Sequence, residues 1–388
     1  MTSSPSLPNF DTILDRRASD SIKWNRFEKD VLPLWVADMD FSAPEPVLRA
    51  LRERLRHGIF GYPQEVRGSR EAVLSWLERR HDWRVDAEAL VFLPGVVTGF
   101  NLALQALGNP GERALVQPPT YRPLMEAPRH ASMFRSNAPL VQDTDGRYCI
   151  DFDAFEAAIT PETRFFLLCN PHNPTGRVFR RDELERMAET CLRHDLVIIS
   201  DEIHHDLTYS GHKHIPIASL DPEIAAHTIT LIAPSKTFNI AGLKASVAII
   251  PNKNLRKRYE AARRGLVDWV NLMGQIALRA AYGEGDSWLD ALLHYLEANR
   301  EYLFNFVHRE LPGVRMAKPE GTFLAWLDCR QANIQGNPAA FFLKHARVAL
   351  NEGKWFGSQG KGFVRLNFGC PRATLKEALE RMKAALTA

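Results

Sequence analysis

The chain has 388 residues, 45% of them hydrophobic and 24% charged, and a formal net charge of +3. Those values suit a globular protein with room for two or three domains, and the charge is too small to argue for a nucleic-acid partner. The five cysteines (Cys149, Cys169, Cys191, Cys329, Cys370) are scattered, odd in number and never spaced as CxxC, which argues against a disulfide framework or a zinc site and fits a reducing compartment.

In chain order, the opening MTSSPSLPNFDTILDRR lacks the apolar core of a signal peptide, and no run reaches the length of a membrane span. A cytoplasmic, non-membrane protein is expected. RALRERLRH, and later KNLRKRYEAARR, read as solvated helix faces. ALVFLPGVVTGFNLALQAL reads as strand, glycine turn and helix. RFFLLCNP (Arg164–Pro171) and LVIISDE (Leu196–Glu202) read as buried strands. Between them, Leu184, Met187, Ala188, Cys191 and Leu192 recur at helical spacing. Strand, helix and strand at such lengths predict a parallel sheet with crossover helices. TITLIAP and ASVAII add strands. After Pro251 the pattern is helical, broken near YGEGDS, and the tail mixes the strands GTFLAWLDC and GFVRLNFGC with two helices. The expected class is α/β: a large mainly parallel-sheet domain over residues 44–285 and a smaller α+β domain over 286–388. Residues 1–43 form a segment that packs on the small domain or on a partner subunit.

In open α/β sheets ligands sit beyond the carboxyl ends of the strands. Gly95, the stretch Asn170 to Gly176, Asp201 and Lys236 all fall at such ends. Gly95-Val96-Val97 opens a helix, where free N–H groups and the helix dipole suit a phosphate; a plain strand-to-helix turn gives the same residues. No GxGxxG fingerprint or Walker loop is present, which argues against nicotinamide dinucleotides and ATP. A lysine after a buried strand is costly unless paired, titrated or chemically consumed. An acid opposite such a lysine is the pairing that pyridoxal phosphate needs: a lysine for the Schiff base and a carboxylate for the pyridinium nitrogen. His204-His205-Asp206, with His212 and His214 nearby, suggests a metal. Adjacent residues of an extended segment point to opposite faces, however, and no HExxH spacing exists. No metal site is expected.

SKTFNIAGLK resembles the lysine motif of fold-type I pyridoxal phosphate enzymes. NPHNPTGRV resembles their cofactor-contacting asparagine loop, GYPQEVRGSREAV their Tyr…Gly…Arg segment, and RLNFGCPR their carboxylate-binding arginine. LWVADMDF, CNPHNPTGRV, DEIHHDL and SKTFNIAGL together resemble the MalY/PatB branch of cystathionine β-lyases, in matching order from about Phe10 to the end. The resemblance implies these roles. Lys236 forms the Schiff base and is the base at the substrate Cα, and Asp201 pairs with the pyridinium nitrogen. Tyr121 stacks on the ring, and Asn173 and His204 lie near its phenolic oxygen. Val96, Val97, Ser235 and Lys244 hold the phosphate, joined by Tyr62 from the other subunit of a homodimer with shared active sites. Arg365 and Asn173 clamp the α-carboxylate of an amino-acid substrate, and Trp35 helps shape the side-chain pocket. In GFVRLNFG, period-2 alternation already puts Phe363, Arg365 and Asn367 on one strand face. Aminotransferases of this fold usually carry tyrosine where His204 stands. That departure favours carbon–sulfur β-elimination over the alternative, a class I/II aminotransferase; a third reading is a regulatory binding protein that keeps the fold.

Overall fold

Strands buried on both faces read as continuous apolar runs, and the central sheet is built from such runs. The computed structural model describes residues 8–267 and 269–388. Seven strands make the sheet: β1 (Leu90–Leu93), β2 (Arg113–Val116), β3 (Phe134–Asn137), β4 (Thr163–Cys169), β5 (Val197–Asp201), β6 (Thr228–Ile232) and β7 (Ser246–Ile249). Their order is β1-β7-β6-β5-β4-β2-β3. Pairings from β6 through β3 are parallel, whereas β7 runs antiparallel to both neighbours. The sheet is therefore mixed, with parallel strands dominant as the sequence predicts.

Alternate residues feed opposite cores. Phe165, Leu167 and Ile199 join Phe100 and Leu104 of the helix Val96–Leu107 on one face. Phe166, Leu168 and Ile198 join Leu184, Met187 and Cys191 of the helix Arg181–Arg193 on the other. At the start of that helix Glu183 reaches back and accepts the Arg180 N–H at 2.8 Å. Both faces are thus covered, and only the strand ends remain open for chemistry.

Beyond Gly285 the helix Asp286–Glu310 leads to a second, three-stranded antiparallel sheet: β8 (Leu324–Asp328), β9 (Asn351–Glu352) and β10 (Phe363–Asn367), in the order β8-β10-β9. Val364 and Leu366 face one core, while Phe363 stacks on Trp326 from the opposite side. The segment before Pro44 joins this part of the chain through a parallel pairing of Leu32 and Pro33 with Val348 and Ala349. It then turns across the carboxyl edge of the central sheet. The segment Trp35–Phe41 is held there by side chains from three places. Asn367 donates to the Val36 and Asp38 carbonyls at 2.6 Å each, Asn239 bonds Met39 and Phe41, and Lys23 bonds Asp40 at 2.8 Å. Among the described residues no helix is long and apolar enough to cross a membrane.

Candidate active site

A cavity of about 600 Å³ opens at the carboxyl edge of the sheet, lined by Trp35, Gly95, Val96, Val97, Tyr121, Asn173, Asp201, His204, Ser235, Lys236, Lys244 and Arg365. Every site residue expected from the sequence meets there except Tyr62, whose side chain is fully exposed and which does not line this cavity.

Each wall comes from a short piece of local structure. The helix Val96–Leu107 starts at Gly95 without a side-chain cap, so its first N–H groups have no partner from the helix itself. An added Cβ at Gly95 would meet nothing within 4 Å, so the glycine is not required by protein packing. Ser235 and Lys236 lie on the single turn Pro234–Thr237 that follows β6. Lys244 returns to the same wall in a left-handed conformation, φ 53°. Uncapped N–H groups, a hydroxyl and an ammonium together make a phosphate-sized anion site.

Asp201 closes the floor. Its carboxylate accepts the Ile203 N–H at 3.2 Å, and burial raises its pKa from 3.8 to about 7. A cation beside it would reverse that shift. Lys236 donates from Nζ to the Ala37 carbonyl at 2.6 Å. Burial, then the charge of Arg365, lowers its pKa from 10.5 to about 8. An amine near that value is available as a base in mildly alkaline water. Tyr121, at the start of the helix Arg122–His130, is half-buried, and burial raises its hydroxyl pKa.

Arg365 comes from β10. It donates to Asn173 Oδ1 at 3.0 Å, the Trp35 carbonyl at 2.8 Å and Asn351 Oδ1 at 3.1 Å, while its Nε has no partner. Among the described residues no carboxylate pairs with it, and burial lowers its pKa to about 10. His204 is likewise buried with Nδ1 unpartnered, and burial holds its pKa well below 6.5, so the ring is neutral. The next residue, His205, turns the other way: with His81 and Asp206 it forms a buried cluster whose ligand-type atoms lie within 4.8 Å of one another. Asp206 there already accepts from Trp76 and Thr237 and lies 2.8 Å from His81.

The cavity thus holds unsatisfied groups in a definite arrangement. An acid wants a cation, a guanidinium wants an anion, and a helix start wants an anion elsewhere on the wall. Pyridoxal phosphate with an amino acid fits that set: a ring nitrogen for Asp201, a phosphate for the helix start and an α-carboxylate for Arg365. Sequence reasoning missed Asn351, the Ala37 carbonyl and Cys169, whose thiol burial keeps protonated.

The family model for class I and II aminotransferases matches residues 29–382. The chain belongs to this family. Among its class I and II relatives, cystathionine beta-lyase PatB of Bacillus subtilis is 43% identical, over 98% of this chain and 100% of that protein. Protein MalY of Escherichia coli is 34% identical, over 98% and 99%. The solved structure of the PLP-bound C–S lyase from Staphylococcus hominis superposes with a TM-score of 0.92 at 37% identity, covering 98% of this chain and 99% of that one. The fold is that of the fold-type I members of this aminotransferase-like family, as the sequence motifs imply.

Proposed function

We propose that the protein is a pyridoxal-phosphate-dependent carbon–sulfur β-lyase acting on cystathionine, cystine or a related S-substituted cysteine. The observation that carries this reading is the convergence, in one cavity, of a lysine whose pKa is lowered to about 8, a buried acid whose pKa is raised to about 7 and a buried arginine with no acidic partner among the described residues. The relatives named cystathionine beta-lyase and C–S lyase supply the reaction class.

Gly95, Val96, Val97, Ser235 and Lys244 would hold the phosphate, Asp201 the ring nitrogen, Tyr121 the ring face, and Asn173 and His204 the phenolic side. Pyridoxal phosphate, when bound, supplies an aldehyde for the substrate amine and a ring that accepts the electron pair left at Cα. The chain supplies the rest. Arg365 and Asn173 fix the substrate carboxylate and thereby the direction of the Cα–H bond. Lys236 takes the Cα proton. The Cβ–S bond then breaks with its electron pair leaving on sulfur, which is released as a thiol after protonation. Water converts the remaining three-carbon enamine to pyruvate and ammonia. Trp35 and Tyr121 would border the leaving group.

Both a lyase and an aminotransferase use these residues as far as proton removal. His204 in place of the usual tyrosine and the LWVADMDF segment favour elimination. Incubation with L-cystathionine and with L-cystine should give pyruvate and ammonia, and no pyruvate from either would contradict the proposal.

The proposal includes a homodimer in which Tyr62 reaches the phosphate of the neighbouring site. Its support is the clustering of four exposed large apolar residues, Leu55, Ile59, Phe60 and Tyr62, within eight positions of the chain. It also includes a cytoplasmic location, supported by five unpaired cysteines. The domain division is proposed at 44–285 and 286–388, with residues 1–43 as a segment that packs on the small domain or on a partner subunit; of its described residues, Trp35, Val36 and Ala37 line the cavity.

A further inference from the structure

The end of β5 and the turn that follows it carry Asp201, Glu202 and Asp206, and the first and last of these have opposite aims. Asp201 lines the cavity. Asp206 is also buried, yet it is not part of the cavity wall. Its Oδ2 accepts the Thr237 hydroxyl at 2.7 Å. Its Oδ1 accepts Trp76 Nε1–H at 3.0 Å and lies 2.8 Å from His81 Nε2. Thr237 directly follows Lys236 on the single turn Pro234–Thr237, is completely buried, and that turn has no side-chain cap of its own. The following residue, Phe238, packs edge-on against Trp76 at 5.5 Å. The turn that carries the lysine is therefore held from behind by the helix Ser69–His81, with Asp206 as the link.

The groups around Asp206 favour its charged form. Burial opposes ionisation, but His205, His81 and the Thr237 hydroxyl bring its pKa well below the usual carboxylate range. Tyr282, from the helix Leu272–Glu284, also faces it, and Glu202 paired with His214 stands behind His205. The charges that move Lys236 are those of Arg365, Asp38, Asp201 and Lys244. Asp206 thus reaches the lysine through the geometry of Thr237 rather than through its field.

We propose that Asp206 is a positioning residue for the lyase reaction: through Thr237 it fixes the turn that carries Lys236 and so sets where the lysine amine meets cofactor and substrate. The inference rests on the reading of Lys236 given under Proposed function. A carboxylate is suited to this task because one side chain can receive a hydroxyl and an indole N–H at once, and each bond is stronger for its charge. Displacement of a reacting group by about an ångström can cost on the order of a hundredfold in rate.

The test compares the cofactor-loaded wild type with Thr237→Val, Thr237→Ser and Asp206→Asn. Three quantities are read: visible circular dichroism per bound cofactor, far-ultraviolet circular dichroism, and the separate kcat and KM. Thr237→Val should lower kcat by about ten- to a hundredfold with KM within about twofold, and should weaken the visible signal while the far-ultraviolet signal is kept. Thr237→Ser, which keeps the hydroxyl, should restore both. Asp206→Asn should resemble Thr237→Val; if it fails to fold, the threonine pair decides. Wild-type kcat and visible signal in Thr237→Val would overturn the proposal, as would a serine variant as impaired as the valine one. A wild type that takes up no cofactor would instead sink the functional reading on which it rests.

Discussion

A guanidinium buried without a carboxylate is hard to explain as architecture, because its desolvation is repaid only by neutral acceptors. Arg365 is in that position, with Asn173, Asn351 and the Trp35 carbonyl as its partners. Arg365→Lys should therefore fold but raise KM for the amino-acid substrate on the order of ten- to a hundredfold, since an ammonium cannot reproduce the fork. An unchanged KM would mean that another group binds the carboxylate. Asp201 offers a pH test. Its folded pKa is raised from 3.8 to about 7 by burial. The stability contributed by its neutral form is complete below about pH 4 and is lost as pH rises through about 7. In cofactor-free protein, Asp201→Asn should thus gain Tm relative to wild type between about pH 5 and pH 8. A constant Tm difference across that range would contradict the buried-acid reading. In loaded enzyme the same change should keep much of the cofactor yet lower kcat strongly, because its charge matters most as carbanion character develops. Lys236, Asp201 and Arg365 were legible because each is an ionisable residue in or beside an apolar strand. Asn351 and the Ala37 carbonyl were not, since a short polar residue in VALNEG and a backbone oxygen leave no pattern in sequence.

At the scale of elements, β1, β4, β5, β6 and β7 were legible because they are largely buried and their runs are mostly apolar. β2 and β3 were harder. RALV is four residues beside a glycine-proline turn, and FRSN has one buried residue at the sheet edge, so neither shows a periodic signal. The antiparallel direction of β7 was also not legible, because ASVAII looks the same in either direction; its partners fix it only in three dimensions. The segment Trp35–Phe41 shows no regular period at all, and its shape comes from side chains distant in sequence. Lys23 is the strongest case: completely buried, it pairs with Asp40 at 2.8 Å, and Asp40 also receives Arg16 and Trp24. Lys23→Ala should destabilise the protein on the order of 3 kcal/mol by urea denaturation, because Asp40 stays buried with less compensation. A loss of less than about 0.5 kcal/mol would show that Arg16 alone suffices.

At the scale of the whole molecule, Tyr62 is the residue that one chain leaves unexplained: fully exposed, and outside its own cavity. In a dimer with shared sites, mixing Tyr62→Phe with Lys236→Ala subunits should restore activity above that of either parent, because one of the mixed sites is intact. Sedimentation should show a dimer, and a fully active monomer would contradict the arrangement. Covalent attachment follows the same logic: borohydride reduction and peptide mapping should place the cofactor on Lys236 and on no other lysine. The central claim concerns the bond that breaks after the Cα proton is removed. The most direct measurement follows L-cystathionine with no 2-oxo acid present, through many more turnovers than there are enzyme sites. A β-lyase releases pyruvate, ammonia and homocysteine in equal amounts throughout. A reaction that stops after one turnover per site, and resumes only when 2-oxoglutarate or pyruvate is added, would contradict it.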